Sequence, residues 1–154
     1  MLIRTMQEAL NKQLNEELYS SNLYLSLSAY LESEEMPGMA AYMRGQAEEE
    51  RKHMRRIYRY IIDRDGSVAI GQIPAPPQTW ASVKEAFRCA LGREEIGSRL
   101  INGLVDLAMK QGDTSTHNFL REFVERQGEE ETELRQIIGQ LDLAGDNGTG
   151  LMLV

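Results

Sequence analysis

Apolar residues recur three and four positions apart in four long segments separated by Pro and Gly, the spacing of amphipathic helices. The first segment, about 4–33, puts Met6, Leu10, Leu14, Glu17, Ser21, Tyr24, Ser28 and Leu31 on one face and stops before Met36-Pro37-Gly38. The second, about 39–64, carries Met39, Met43, Gln46, Glu50, His53, Ile57 and Ile61, and stops at Asp65-Gly66, a turn signal. The third, about 82–111, presents Val83, Phe87, Ala90, Glu94, Gly97, Ile101, Leu104 and Ala108. Ser82 and Glu85 stand at capping-box spacing at its start, and Gly112 follows its end. The fourth, about 114–143, presents Thr116, Leu120, Phe123, Gln127, Glu130, Leu134, Ile137 and Leu141, and Ala144-Gly145-Asp146-Asn147-Gly148 stops it.

The first two segments are joined by a short turn and therefore run antiparallel. Between Gly66 and Trp80, Gly71, Pro74, Pro76 and Pro77 exclude helix and predict an extended crossover. Helices of roughly 26 to 30 residues are about 40–45 Å long. The expected fold is all-α: one four-helix bundle over residues 1–154, with one long crossover between its second and third helices.

Each apolar stripe is broken near its middle by polar residues where Leu or Ile belongs. These are Glu17, Glu50 with His53, Glu94, and Gln127 with Glu130. Burying uncompensated carboxylates costs several kcal/mol apiece, so they must be protonated, paired with buried cations or bound to metal. No stripe position is Lys or Arg. Antiparallel helices of similar length share one mid-height, so all six side chains converge on a single layer, and two divalent ions would neutralise its four carboxylates. Hard oxygen donors with one imidazole suit iron or manganese, tolerate zinc, and disfavour a closed thiolate-type zinc site. Glu50 and His53 form the Glu-x-x-His pair that di-iron carboxylate bundles use. Such a pair is common by chance in one helix; polar breaks at matched height in four helices are not.

Other features change the picture less. Tyr24 is either a core aromatic or a hydrogen-bond donor to a ligand carboxylate. The eight Met residues read as core filler. The runs Glu48-Glu49-Glu50 and Glu129-Glu130-Glu131 read as a solvated face or as a second, cation-attracting patch beside the centre. Seventeen basic against twenty-four acidic residues give a net charge of −7, which argues against nucleic acid as a partner. A single Cys, Cys89, excludes an internal disulfide framework and suits a reducing compartment, so a cytoplasmic location is expected. Arg4, Glu8 and Lys12 at helical spacing do not read as a signal peptide, and no apolar run is long enough for a membrane span.

Four stretches carry a resemblance: Leu14-Asn15-Glu16-Glu17-Leu18-Tyr19-Ser20-Ser21, Glu48-Glu49-Glu50-Arg51-Lys52-His53-Met54, Asn118-Phe119-Leu120 and Gln127-Gly128-Glu129-Glu130-Glu131. Through them essentially the whole chain resembles a bacterial non-haem ferritin. The resemblance implies an iron-storage protein that oxidises Fe(II) with dioxygen or hydrogen peroxide at a ferroxidase centre of two irons. Glu17, Glu50 and His53 would hold one iron and Glu50, Glu94 and Glu130 the other. Gln127 would be a hydrogen-bonding neighbour, and Tyr24 an electron donor or a steadying group. It also implies a homo-oligomeric cage of twenty-four subunits around a ferric mineral, with acids such as Glu48, Glu49 and Glu129 helping to nucleate it.

Several positions depart from relatives. Gln127-x-x-Glu130 replaces the second Glu-x-x-His of bacterioferritins and rubrerythrins, and Arg51 stands where bacterioferritin has its haem-ligating Met, so no haem is expected. A third iron on Glu49, Glu129 and Glu130 would meet Arg126 where the family places an acid, with Glu49 and Glu129 available to pair with that arginine. His117 and Leu120 stand where animal ferritins have channel acids, and the sequence stops at Val154, where the family continues into a short fifth helix. Two rival readings share these residues: a di-iron oxygenase or peroxidase of the same fold, and a cage wall without catalysis.

Overall fold

The computed structural model describes residues 1–145 as four helices: α1 (Arg4–Ser33), α2 (Pro37–Asp63), α3 (Val83–Lys110) and α4 (Thr114–Ala144). Helix α2 starts two residues before the expected Met39 because Pro37 fits the first turn, where its missing N–H is not needed and its fixed φ is already helical. Met39 is consequently only partly covered, and Ala40 takes the fully buried place. Every other stripe residue is buried or half-buried. The family's fifth-helix segment lies outside the described residues.

Three helices end in the same way. Met36 N donates to Leu31 O and Glu35 N to Glu32 O after α1, with Glu35 at φ 60°. Gly66 N to Ile61 O and Asp65 N to Ile62 O repeat the pattern after α2, with Asp65 at φ 60°. Asp113 N to Ala108 O and Gly112 N to Met109 O repeat it after α3. These are Schellman closures, which satisfy the last carbonyls and turn the chain back. At the starts, Ser82 Oγ accepts from Glu85 N at 3.1 Å and Asp113 from Thr116 N at 3.0 Å. The Ser82–Glu85 box is only half formed, because the Glu85 carboxylate turns to Arg88.

The crossover climbs the length of α1. Asn11 and Asn15 act as backbone mimics: Asn11 donates to Ser67 O at 2.8 Å and accepts from Ala69 N at 2.8 Å, while Asn15 donates to Ala69 O at 3.0 Å and accepts from Gly71 N at 2.7 Å. Further up, Ser26 Oγ donates to Pro77 O, and Trp80 packs edge-on against Tyr30 at 5.4 Å. The crossover therefore delivers α3 to the far end, antiparallel to α1, and α4 returns beside it.

Buried apolar side chains form two clusters. One holds Leu27, Leu31, Met43, Phe87 and Leu134; the other holds Leu10, Leu14, Ile57, Ile61, Ile101 and Phe123. Each such side chain contributes about 1.5–3 kcal/mol on full burial. Between the two clusters lies a polar layer. Among the described residues no helix is long and apolar enough to cross a membrane.

Candidate metal centre

The polar layer contains Glu17, Gln46, Glu50, His53, Glu94, Gln127 and Glu130, all buried, with Glu130 only 1% exposed. Helical spacing puts each on the inward face, and the antiparallel packing brings them to one height. Ligand-type atoms of Glu17, Glu50 and His53 lie within 4.8 Å of one another, and so do those of Glu50, Glu94 and Glu130. Glu50 belongs to both groups and stands between them.

Few of these donors are spent on the protein itself. His53 Nδ1 lies 3.6 Å from Glu17 and 3.5 Å from Glu50, too far for a hydrogen bond, and is buried without a partner. Both carboxylate oxygens of Glu130 are likewise buried without a hydrogen-bond donor. Leaving such atoms unpaired is costly, and cation binding removes the cost.

Other residues hold the layer in shape. Tyr24 Oη donates to Glu94 Oε1 at 2.5 Å, so this tyrosine is both a core aromatic and a donor. Gln127 Nε2 donates to the Glu94 carbonyl at 3.1 Å and to its Oε2 at 3.0 Å. Gln13, absent from the first stripe, is also buried, and it donates to Glu17 Oε1 at 3.0 Å. Its i, i+4 relation to Glu17 was the available signal in the sequence. Gln46 lies on the second stripe, with its Oε1 buried and unpartnered.

Burial and the Glu17 charge together push the Glu50 carboxyl well above the usual range. Burial and the Glu94 charge push Glu130 up to about 10, against the opposing pull of Arg126. Burial also acts on Glu17, but the neighbouring Glu50 carboxyl, the close His53 ring and the Gln13 hydrogen bond together outweigh it and hold Glu17 low. Glu17 and Glu50 thus share their charge unequally, with the proton on Glu50. Burial, reinforced by Glu94, raises Tyr24 well above the usual phenol value. Four carboxylates in a dry layer cannot all ionise without cations.

The Ferritin-like domain family model matches residues 7–144, the whole bundle with its polar layer. The chain belongs to the ferritin family. It is 38% identical over 148 residues to a bacterial non-heme ferritin of Bacteroides fragilis (strain 638R), covering 96% of this chain and 93% of the relative. It is 38% identical over 154 residues to a bacterial non-heme ferritin of Escherichia coli O157:H7, covering 100% of this chain and 93% of the relative. Among solved structures, the open-pore ferritin of the archaeon Archaeoglobus fulgidus superposes with a TM-score of 0.98 at 35% identity, covering 99% of this chain and 94% of that one.

The remaining expected residues of this ferritin chain are placed differently. Glu49 groups with His53 and Glu130 within the same 4.8 Å limit, but its carboxylate pairs with Lys52 at 3.6 Å. Glu129 joins none of these groups among the described residues and is 63% exposed. Arg126 pairs with Glu129 at 3.0 Å, Glu130 at 3.1 Å and Glu133 at 3.3 Å. The expected Arg126–Glu49 pair is not formed: Glu133, two turns along α4, takes that place. Arg126 also supplies the buried carboxylates with a cation from off the stripe, which the stripe positions alone do not show.

Proposed function

We propose that this chain is an iron-storage subunit that oxidises Fe(II) at the polar layer, with Glu17, Glu50 and His53 receiving one ion and Glu50, Glu94 and Glu130 the other. The observation that carries this reading is the pair of three-residue groups sharing Glu50, with His53 Nδ1 and both Glu130 oxygens buried and without a hydrogen-bond donor or acceptor. Two Fe(II) ions lose one electron each, the two needed, with two protons, to reduce dioxygen to hydrogen peroxide. Protons on Glu50 and Glu130 leave as the ions enter, so both carboxylates become anionic only when a cation faces them. Tyr24 and Gln127 clamp the two Glu94 oxygens and fix that ligand's rotamer before metal arrives.

The relatives named as bacterial non-heme ferritins support iron storage without haem, and the subunits assemble, on this reading, into a homo-oligomeric cage of twenty-four. The space beside the centre is about 10 Å³, room for about one water, which suits a metal ion or a diatomic oxidant better than an organic substrate. That supports a ferroxidase over an oxygenase of the same fold. The test is size-exclusion chromatography with an iron assay after aerobic Fe(II) addition. A very large particle retaining many irons per subunit is expected; a small species with at most two irons per subunit refutes storage.

A further inference from the structure

Arg93 sits on α3 beside Glu94 and reaches across the seam to α1. Its Nε donates to Ser20 Oγ at 2.7 Å, and its Nη2 donates to the Glu16 carbonyl at 3.1 Å and to Glu16 Oε2 at 2.5 Å. The guanidinium also lies 4.8 Å from the centre of the Tyr19 ring. Only 12% of the side chain is exposed.

Three spaces meet at this side chain. The first is the small cavity bordered by Glu17, Glu50 and Glu94 of the metal centre. The second is an open groove past Tyr19 and Ile96, and the third an open groove between α1 and the crossover at Gln72 and Pro74. Arg93 is the one residue that lines all three. Gly97 lines the small cavity, and a Cβ there would stand 2.9 Å from Gln127 Nε2, so the glycine leaves room for the Gln127–Glu94 hydrogen bonds. The latched Arg93 guanidinium therefore stands where a metal-sized space at the centre meets both surface grooves.

We propose that the α1–α3 seam is a route for Fe(II) into the centre and that Arg93, latched to Glu16 and Ser20, is its gate. The inference rests on the metal-centre reading above. An ion shedding its hydration shell needs oxygen donors along its path, and this path has them: Glu16 and Ser20 at the mouth, then Glu17, Glu50 and Glu94 at the inner end. Closed, the guanidinium occupies the Glu16 carboxylate, repels cations and excludes water. Open, it clears the passage to Glu17, Glu50 and Glu94. The hydrogen bonds of Arg93 go to Glu16 and Ser20, so it acts on access and is not itself a ligand.

The test is stopped-flow uptake of Co(II), followed by its visible absorption, in the full-length protein. Co(II) reports binding without oxidation. Arg93→Ala removes the stopper, and Glu16→Gln removes the charge that holds it. The gate requires both variants to take up Co(II) faster, by about tenfold and about threefold respectively, with dissociation faster as well. A simple field effect acts oppositely in the two, because one loses a positive charge and the other a negative one. Faster uptake in Arg93→Ala with slower uptake in Glu16→Gln overturns the gate, as do wild-type rates in both. If Arg93→Ala does not fold, the near-isosteric Glu16→Gln decides alone. Wild-type protein that shows no Co(II) band, or one unchanged by His53→Ala, refutes the metal centre, and the gate falls with it.

Discussion

Arg126 Nε stands 3.1 Å from Glu130 Oε1, yet that oxygen has no hydrogen-bond donor, because the N–H is not directed at it. The pair is a Coulombic contact at the edge of the dry layer. The guanidinium spends its donors on the more exposed Glu129 and Glu133.

A guanidinium cannot ligate a cation and repels Fe(II) at 4 Å by roughly 2 kcal/mol in water, and more where water is excluded. The unmodified protein should therefore oxidise about two Fe(II) per subunit in its fast phase. Arg126→Glu should add a third bound metal beside Glu49, Glu129 and Glu130. Metal-soaked crystals of both forms check this; a well-occupied third position beside Arg126 in the unmodified protein contradicts it.

His53→Ala and Glu130→Ala should each slow Fe(II) oxidation by about a hundredfold or more, since each removes a donor that meets metal directly. Neither should reduce the thermal stability of the metal-free protein by much. Both remove a buried group that lacks a hydrogen-bond partner. Stopped-flow oxidation and thermal melts test the two halves separately.

The metal-free protein should lose stability as pH rises. Glu130 titrates at about 10 when folded, against an ordinary 4.5, and burial with the Glu17 charge shifts Glu50 the same way. Between those values the folded chain holds more protons than the unfolded one, so unfolding becomes easier with each step up in pH. Glu17 is shifted down, so its contribution is present above 4.5 and is lost as pH falls below that value. Zn(II) should displace the protons, releasing at least one per subunit, and flatten the dependence. Melting temperatures at about pH 6 and about pH 9, with and without Zn(II), read the sign directly.

Glu35 and Asp65 occupy the left-handed position of their Schellman closures, at φ 60° in both cases. Side chains strain that conformation by roughly 1 kcal/mol. Glu35→Gly and Asp65→Gly should each raise the unfolding free energy by about 0.5–1 kcal/mol without changing iron oxidation. Denaturant titration of the metal-free protein measures this.

The architecture was legible because the stripes and their interruptions obey one rule: a residue facing inward is apolar unless something else balances it. Glu17, Glu50, His53, Glu94, Gln127 and Glu130 break that rule at one height, and the structure gathers them there. What escaped was whatever touches the layer from off the stripe. Arg93 and Gln13, and the contact of the already expected Arg126 with Glu130, belong to flanking positions where long polar side chains usually face water, and only the packing of neighbouring helices turns them inward. The left-handed residues escaped for a related reason: Glu35 and Asp65 stand where glycine is the usual signal.

The polar layer also divides the bundle mechanically. An ordinary helix pair is most protected against hydrogen exchange at its centre, and its ends fray first. Here the apolar clusters lie above and below, and the middle turns carry buried polar groups that lack hydrogen-bond partners until cations arrive. Amides around Glu17, Glu50, Glu94 and Glu130 should therefore exchange anomalously fast in the empty protein and slow down on loading. Each filling and emptying of the centre would tighten and loosen the waist of the subunit, so its rigidity follows its cargo.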